Sequence, residues 1–351
     1  MIGVDPHKST HTAAALDSGD HKTLETIRLD ARLPEYRRLL LWARRFPERR
    51  WAVENAWGLG RHLAQWLIAQ GETVTDVPAT ATARVRELSR GGRRKNDKLD
   101  AAAAASVAAL QGDAVPVEAE GAATVLRMLD ERRTNLTRQR TRTVNQLHAV
   151  MRELLPGGVS TDLTADRAAD TLRRIRPASP VERVRKELAW ELVAEVRALD
   201  TRLKANQQRM QDTVAESGSS LLDVVGVGPV VATRLLGRTG RASRFRTSGA
   251  FAVHAGVAPI QIASADKERH RLSREGDRQL NNALHTIAQF NTQLCTHLGT
   301  LSLWKPCQCV RRVSSFRGCW RDFAGGIAAL LGSGHIVRPR PWWWLPRCSR
   351  S

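Results

Sequence analysis

The sequence predicts a mixed α/β N-terminal domain, then a long helical arm, then a mainly α-helical C-terminal domain. Three observations carry this. Residues 1 to 110 hold short apolar runs that first follow one another and then alternate with helical periods. From 115 to 216, Trp190 is the only aromatic residue and apolar side chains recur every three or four positions. From 218, a Gly-Val-Gly-Pro turn and a Gly-rich segment lead into renewed helical spacing.

The first block opens with three strands: MIGVD, HTAAALD and KTLETIRLD, with Ser18, Gly19 and Asp20 turning between the last two. PEYRRLLLWARRF follows as a helix with Pro34 near its start. RRWAVENAW is a fourth strand, GRHLAQWLIAQG a helix closed by Gly71, and TVTDVP a fifth strand. Residues 81 to 110 are largely helical. In the second block, a stripe of Leu129, Leu136, Leu147 and Leu154 marks one helix. Val181, Val184, Leu188, Leu192, Val196, Leu199 and Leu203 mark a second, coiled-coil-like seam. Pro156, Gly157, Gly158, Pro177 and Pro180 separate the two, which reads as a helical hairpin. The expected domains are 1–112, 113–217 and 218–297, with a tail at 298–351. That tail holds five of the ten Trp, four of the five Cys and one acidic residue. Such a shift marks a frameshifted or disordered tail, and no function is assigned to it.

The chain has 351 residues and a formal net charge of +20, from 55 Lys+Arg against 35 Asp+Glu. That excess favours a polyanionic partner, and the predominance of arginine suits bidentate phosphate contacts. High genomic GC content also enriches arginine and alanine. No cysteine precedes Cys295, which excludes a disulfide framework or Cys-based zinc site before it. No apolar run approaches the ~20 residues of a membrane span, and the N-terminus lacks a signal-peptide core, so a cytoplasmic protein is expected.

Four carboxylates stand out in the first block. Asp5 ends the first strand, Glu54 lies in the fourth, and Asp97 and Asp100 sit in RRKNDKLDAAAAA. Each has a plain structural reading: Asp5 before Pro6 as a turn residue, Glu54 as a cap or ion-pair partner, Asp97 as a helix N-cap with Asp100 three residues on. Against this, a lone carboxylate in a central strand is costly unless something pairs it. Asp97 and Asp100 also share one helical face. If that face packs over the strands of Asp5 and Glu54, an oxygen-only cluster forms that suits Mg²⁺ or Mn²⁺. The spacing alone leaves both readings open. Arg93, Arg94, Lys95 and Lys98 surround the pair and would hold a nucleic-acid backbone beside it.

Two further segments carry chemistry. In LLDVVGVGPVVATRLL, Gly226 and Gly228 permit a tight turn before Pro229, a pattern that resembles a helix-hairpin-helix grip on phosphate; a plain packing unit is the alternative. In KERHRLSREGDRQLNNAL, Ser273 sits among Arg269, His270, Arg271, Arg274 and Arg278. Arginines can hold a scissile phosphate, though a serine needs activation to attack it.

The order of strand Asp, strand Glu and late helical acids resembles an RNase H-like (RuvC-like) nuclease core. GVDPHKSTHTAAALD, WAVENAWGLG and RRKNDKLDA are together similar to the acidic motifs of the DEDD transposases of bacterial insertion sequences, the IS-one-ten family and its invertase relatives. The Gly-Val-Gly-Pro, FAVHAGVAP and RLSREGDRQL segments resemble that family's C-terminal transposase domain. The resemblance covers residues 1 to about 297. It implies a DNA transposase in which Asp5, Glu54, Asp97 and Asp100 hold Mg²⁺ (or Mn²⁺) and Ser273 becomes covalently joined to DNA. It also implies DNA partners at element ends and target, a structured guide (bridge) RNA, and a homo-oligomer (dimer or tetramer) in which different protomers supply the tetrad and the serine. A bacterial cytoplasmic, nucleoid-associated location follows. The alternatives are a junction-resolving or DNA-inverting nuclease without a serine adduct, and a catalytically inactive nucleic-acid-binding relative.

Overall fold

The computed structural model describes residues 1–17, 19, 21–88, 96–110, 115–264, 267–272 and 276–297; for 86, 88, 259–272 and 291–297 it describes the backbone alone. The chain forms two compact units, Met1–Glu120 and Gly121–Ser351.

The first unit is built on one five-stranded sheet. β1 (Ile2–Pro6), β2 (Thr10–Leu16) and β3 (Thr23–Asp30) form an antiparallel meander. α1 (Leu33–Ala43) leads to β4 (Trp51–Glu54), α2 (Arg61–Ala69) to β5 (Val74–Val77), and both strands join parallel to β1. The strand order is β3-β2-β1-β4-β5. α3 (Ala79–Leu88) and α4 (Asp97–Leu110) follow. Residues 115–117 return along β5, where Asp76 N donates to Val115 O and Val117 N to Val74 O. They therefore belong with this sheet, beyond residue 112.

The two-residue strand period sorts the two faces. Ile2, Val4, Trp51 and Val53 point one way and pack with Leu39 and Trp42 of α1 and Leu63 and Leu67 of α2. Gly3, Ala14 and Ala52 point the other way, onto α4. At Gly3 a Cβ would lie 2.0 Å from Ala101 O and 2.6 Å from Ala105 N, so only glycine lets the helix backbone come this close. Ala101, Ala104, Ala105 and Ala108 give α4 a face small enough to match.

The second unit is mostly helical. α5 (Ala122–Leu154), α6 (Ala165–Arg174) and α7 (Pro180–Glu216) come first. Thr164 caps α6 by accepting from Arg167 N at 3.2 Å. Ser179 caps α7 in the same way from Glu182 N, while the Glu182 carboxylate reaches back to Ala178 N. α8 (Pro229–Thr239), α9 (Ser248–His254), an antiparallel hairpin of β6 (Pro259–Ser264) and β7 (Lys267–Leu272), and α10 (Arg278–His297) complete it. One apolar cluster joins Leu147 and Met151 of α5, Leu172 of α6 and Val193 and Val196 of α7. Another joins Leu126 and Val214 to Leu235, Phe251, Leu284 and Ile287.

Two expectations change. The buried line of α7 runs through Ala189, Val193, Val196 and Leu199, while Val181, Val184 and Leu188 of the expected seam are exposed. α6 packs its Ala168, Ala169 and Leu172 onto the alanine-bearing side of α7, which turns the larger residues outward. The β6–β7 hairpin interrupts a C-terminal domain expected to be mainly helical; its cross-strand pairing, Ile260 with Arg271 and Ile262 with Arg269, is not a local signal. Among the described residues, no helix is long and apolar enough to cross a membrane.

Candidate metal centre

The backbone brings four acidic positions to one end of one sheet face. Val4 of β1 pairs with Val53 of β4, so Asp5 and Glu54 each follow that row at the C-terminal ends of adjacent parallel strands. Asp5 lies on Gly3's side of the sheet and Glu54 on Ala52's side, which is the side α4 covers. Since Ala101 and Ala105 sit on Gly3, α4 starts over the end of β1 and runs back toward Met1. Its first turn thus carries Asp97 and Asp100 above the strand ends.

Three of the ligand-type side chains meet. His7 Nε2 lies 3.3 Å from Asp5 Oδ2 and 3.4 Å from Asp97 Oδ1. One ligand atom from each of Asp5, His7 and Asp97 falls within a 4.8 Å set. Asp100 is only 4% exposed, on the face of α4 turned to the sheet, and Glu54 is half-buried at the end of β4. Neither falls within that 4.8 Å set. Two carboxylates and an imidazole at this separation are a donor set that fits a divalent cation.

Local chemistry fixes each part. His7 N donates to Thr10 O and closes the β1–β2 turn, which holds the ring beside Asp5. Asn96, rather than Asp97, caps α4: its Oδ1 accepts from Lys98 N at 3.1 Å and its carbonyl from Asp100 N at 3.0 Å. The Asp97 carboxylate is thereby left to His7 and, at 3.8 Å, Arg28 Nη1. Arg28 reaches it because Asp5, Thr12 and Arg28 form one row across β1, β2 and β3. Beyond Glu54, Asn55 takes a φ of 49° and Asp76 Oδ1 accepts from Ala56 N at 2.7 Å. Burial pushes the Asp76 carboxyl above its ordinary value, and the bond from Ala56 opposes that. At Gly60 a Cβ would lie 2.5 Å from Val53 Cγ1 and 2.9 Å from Glu54 O, so the turn after Glu54 is held tightly.

The sequence reading missed His7 and Arg28. DPH places His7 two residues beyond Asp5, a spacing that puts both on one side of an extended chain, and this was the available signal for His7. Arg28 shows no signal until strand register is known. Of the expected nucleic-acid contacts, Lys98 is exposed on α4 and Arg278 opens α10. Gly226 has a φ of 85°, and Gly228 immediately precedes α8. The segment before this turn is the short 3-10 helix Ser220–Asp223. Arg269 and Arg271 lie on β7, described by backbone alone. Arg93, Arg94, Lys95, Ser273 and Arg274 lie outside the described residues.

Two family models match the chain. A DEDD transposase model of the IS110 type covers residues 2–156, and a model described as transposase, IS116/IS110/IS902 family, covers residues 218–297. The chain belongs to the IS110 family of transposases. An insertion element IS116 protein of 44.8 kDa, described as uncharacterized, from Streptomyces clavuligerus is 25% identical to this transposase over 304 residues, which is 74% of this chain and 76% of that protein. A probable family 20 transposase of Pseudomonas aeruginosa is 29% identical over 173 residues, covering 47% of this chain and 50% of that protein. The first family match spans all four acidic positions of this transposase, and the second spans the Gly-Val-Gly-Pro turn and Ser273. DNA is the substrate that the family implies, and transposition is the function.

Proposed function

We propose that this transposase cleaves and rejoins DNA at the end of the β1–β4 sheet face, through a divalent cation held by Asp5, Glu54, Asp97 and Asp100. The observation that carries this is that ligand-type atoms of Asp5, His7 and Asp97 lie within 4.8 Å of one another, with Asp100 and Glu54 on the same sheet face. The same acidic positions, at two parallel strand ends and in a later helix, support an RNase H-like reading of the sheet. Mg²⁺ or Mn²⁺ bound there would offset charge building up on phosphate oxygens. His7 orients the carboxylates of Asp5 and Asp97 toward one point, and Arg28 offsets part of their mutual repulsion.

Ser273 is the proposed nucleophile. Its Oγ forms a bond to a DNA phosphorus as the bond from that phosphorus to the neighbouring nucleotide's oxygen breaks. The serine proton ends on that leaving oxygen, giving a phosphoserine link and a free hydroxyl for strand exchange. Family membership supports this role, as it supports a structured guide RNA, action as a homo-oligomer, and a bacterial cytoplasmic location beside the nucleoid. With guide pairing supplying sequence choice, the +20 charge serves the backbones of both nucleic acids.

Asp97→Asn is expected to abolish strand cleavage of a labelled element end in Mg²⁺ while leaving thermal melting unchanged within about 2 °C, since the residue is partly exposed and does not cap its helix. Full cleavage by this variant would remove the metal assignment. Ser273→Ala is expected to bind DNA and RNA as before but to leave no protein–DNA adduct on a denaturing gel. An adduct that persists would shift the reading to another nucleophile. Metal-dependent cleavage without any adduct in the unaltered chain would favour the nuclease alternative.

A further inference from the structure

The second unit holds a basic cavity of about 400 Å³ between α5, α8 and α10. Arg133 and Arg138 line it from α5, Arg234 from α8 and Arg278 from the first turn of α10. Among the described residues, no carboxylate and no aromatic ring lines it; the remaining lining side chains are threonines and amides. Arg133 and Arg138 belong to the arginine-rich run ERRTNLTRQRTR and Arg278 to RLSREGDR, while Arg234 joins them only through the fold.

The arginines are held from behind. Asp130 is fully buried beneath the cavity, with Arg234 Nε 3.0 Å from its Oδ1 and Arg238 Nε 3.6 Å from its Oδ2. Arg238 also faces Asp277 at 3.5 Å, and Arg234 Nη1 donates to Asn282 Oδ1. Asp130 and Asp277 therefore answer the charges of Arg234 and Arg238. Among the described residues, Arg133, Arg138 and Arg278 form no ion pair, and Arg133 Nη1 is buried without a hydrogen-bond acceptor. Burial, and then the neighbouring Arg234 charge, press the Arg133 guanidinium below its ordinary value, with Asp130 opposing them in part. A buried N–H with no acceptor beside clustered like charges is unfavourable, and an anion in the cavity relieves both.

We propose that this cavity seats one backbone phosphate of a nucleic-acid strand, with Arg133, Arg138 and Arg278 as its direct donors and Arg234 as a fixed positive wall. Planar guanidinium forks suit the non-bridging oxygens of a phosphodiester. The described lining offers guanidinium donors and no aromatic platform, which suits a backbone phosphate better than a base edge. The two main-chain N–H groups at the start of α10 are already taken by Asp277 Oδ1, so side chains supply the grip. This deepens the recombinase reading, because it assigns a strand-holding element to the unit that carries Ser273.

The test uses the full chain and the exposed pair Arg138→Gln with Arg278→Gln, which spares the buried Asp130 pairing. Binding of a DNA duplex and of an RNA strand of equal length is measured across a salt series. The variant is expected to lower the slope of log affinity against log salt by about one, the loss of one phosphate contact. In the unaltered chain, phenylglyoxal labelling of Arg138 and Arg278 is expected to fall when DNA or RNA is added, and whichever strand protects identifies the source of the phosphate. An unchanged slope, or labelling unaffected by either strand, overturns the proposal. Protection by inorganic phosphate but by neither strand overturns it too, leaving a free-anion site. If the unaltered chain binds neither strand, the recombinase reading itself fails; if it binds but the variant slope is unchanged, only the cavity assignment fails.

Discussion

Gly3→Val is expected to unfold the first unit or lower its stability by about 3 kcal/mol or more, a drop of roughly 10 °C or more in its melting temperature. The first added carbon would already lie 2.0 Å from Ala101 O, 2.6 Å from Ala105 N and 2.8 Å from Ala105 Cβ. Two of those three atoms are helix backbone, so no side-chain rotation can yield. The strand must leave the sheet or α4 must lift, and lifting α4 carries Asp97 away from Asp5 and His7. Strand cleavage should therefore fall at temperatures where the fold survives. Thermal melting followed by circular dichroism decides the matter, and a Gly3→Val chain that melts with the unaltered one would refute the close-packing account.

Asp130→Ala is expected to destabilise the second unit by about 3–5 kcal/mol, read as a lower midpoint in urea. The carboxylate is fully buried, and two guanidinium groups lean on it from successive turns of α8. Removing it leaves Arg234, with a side chain only 15% exposed, as an uncompensated cation. The loss exceeds the value of the pair, because the pair has already met its own desolvation cost. Asp130→Leu combined with Arg234→Met removes the buried charge as well and should recover a large part of the lost stability. If Asp130→Ala alone shifts the midpoint no more than a surface substitution does, the carboxylate is not the anchor described here.

Much of the first unit was legible because its signals are local. The short apolar runs IGVDP and WAVE, the turn residues between runs and the alanine tract of α4 each announce an element. The three-residue spacing of Asp97 and Asp100 likewise announces a shared helical face. What stayed hidden depends on register and on tertiary choice. Arg28 approaches Asp97 only because β3 pairs with β2 in one particular alignment. Asn96 took the cap that Asp97 was equally suited to, a competition between adjacent residues of similar propensity. In α7 the expected seam holds at Val196 and Leu199, but nearer the helix start Ala189 and Val193 are buried in place of Val184 and Leu188, where α6 packs. The arginine cavity draws on residues 133, 138, 234 and 278, far apart in the chain, and no window of sequence contains them together.

The contact of α4 with Gly3 has a consequence for how this protein can change over generations. Where two backbones touch, the space between them admits no substitution larger than the methyl groups already there. Position 3 therefore accepts no side chain unless α4 gives way. Any retuning of the carboxylate cluster has to come from the strand ends and from the outward residues of the helix. Selection can alter what surrounds the acidic groups, but their spacing is inherited from the main chain.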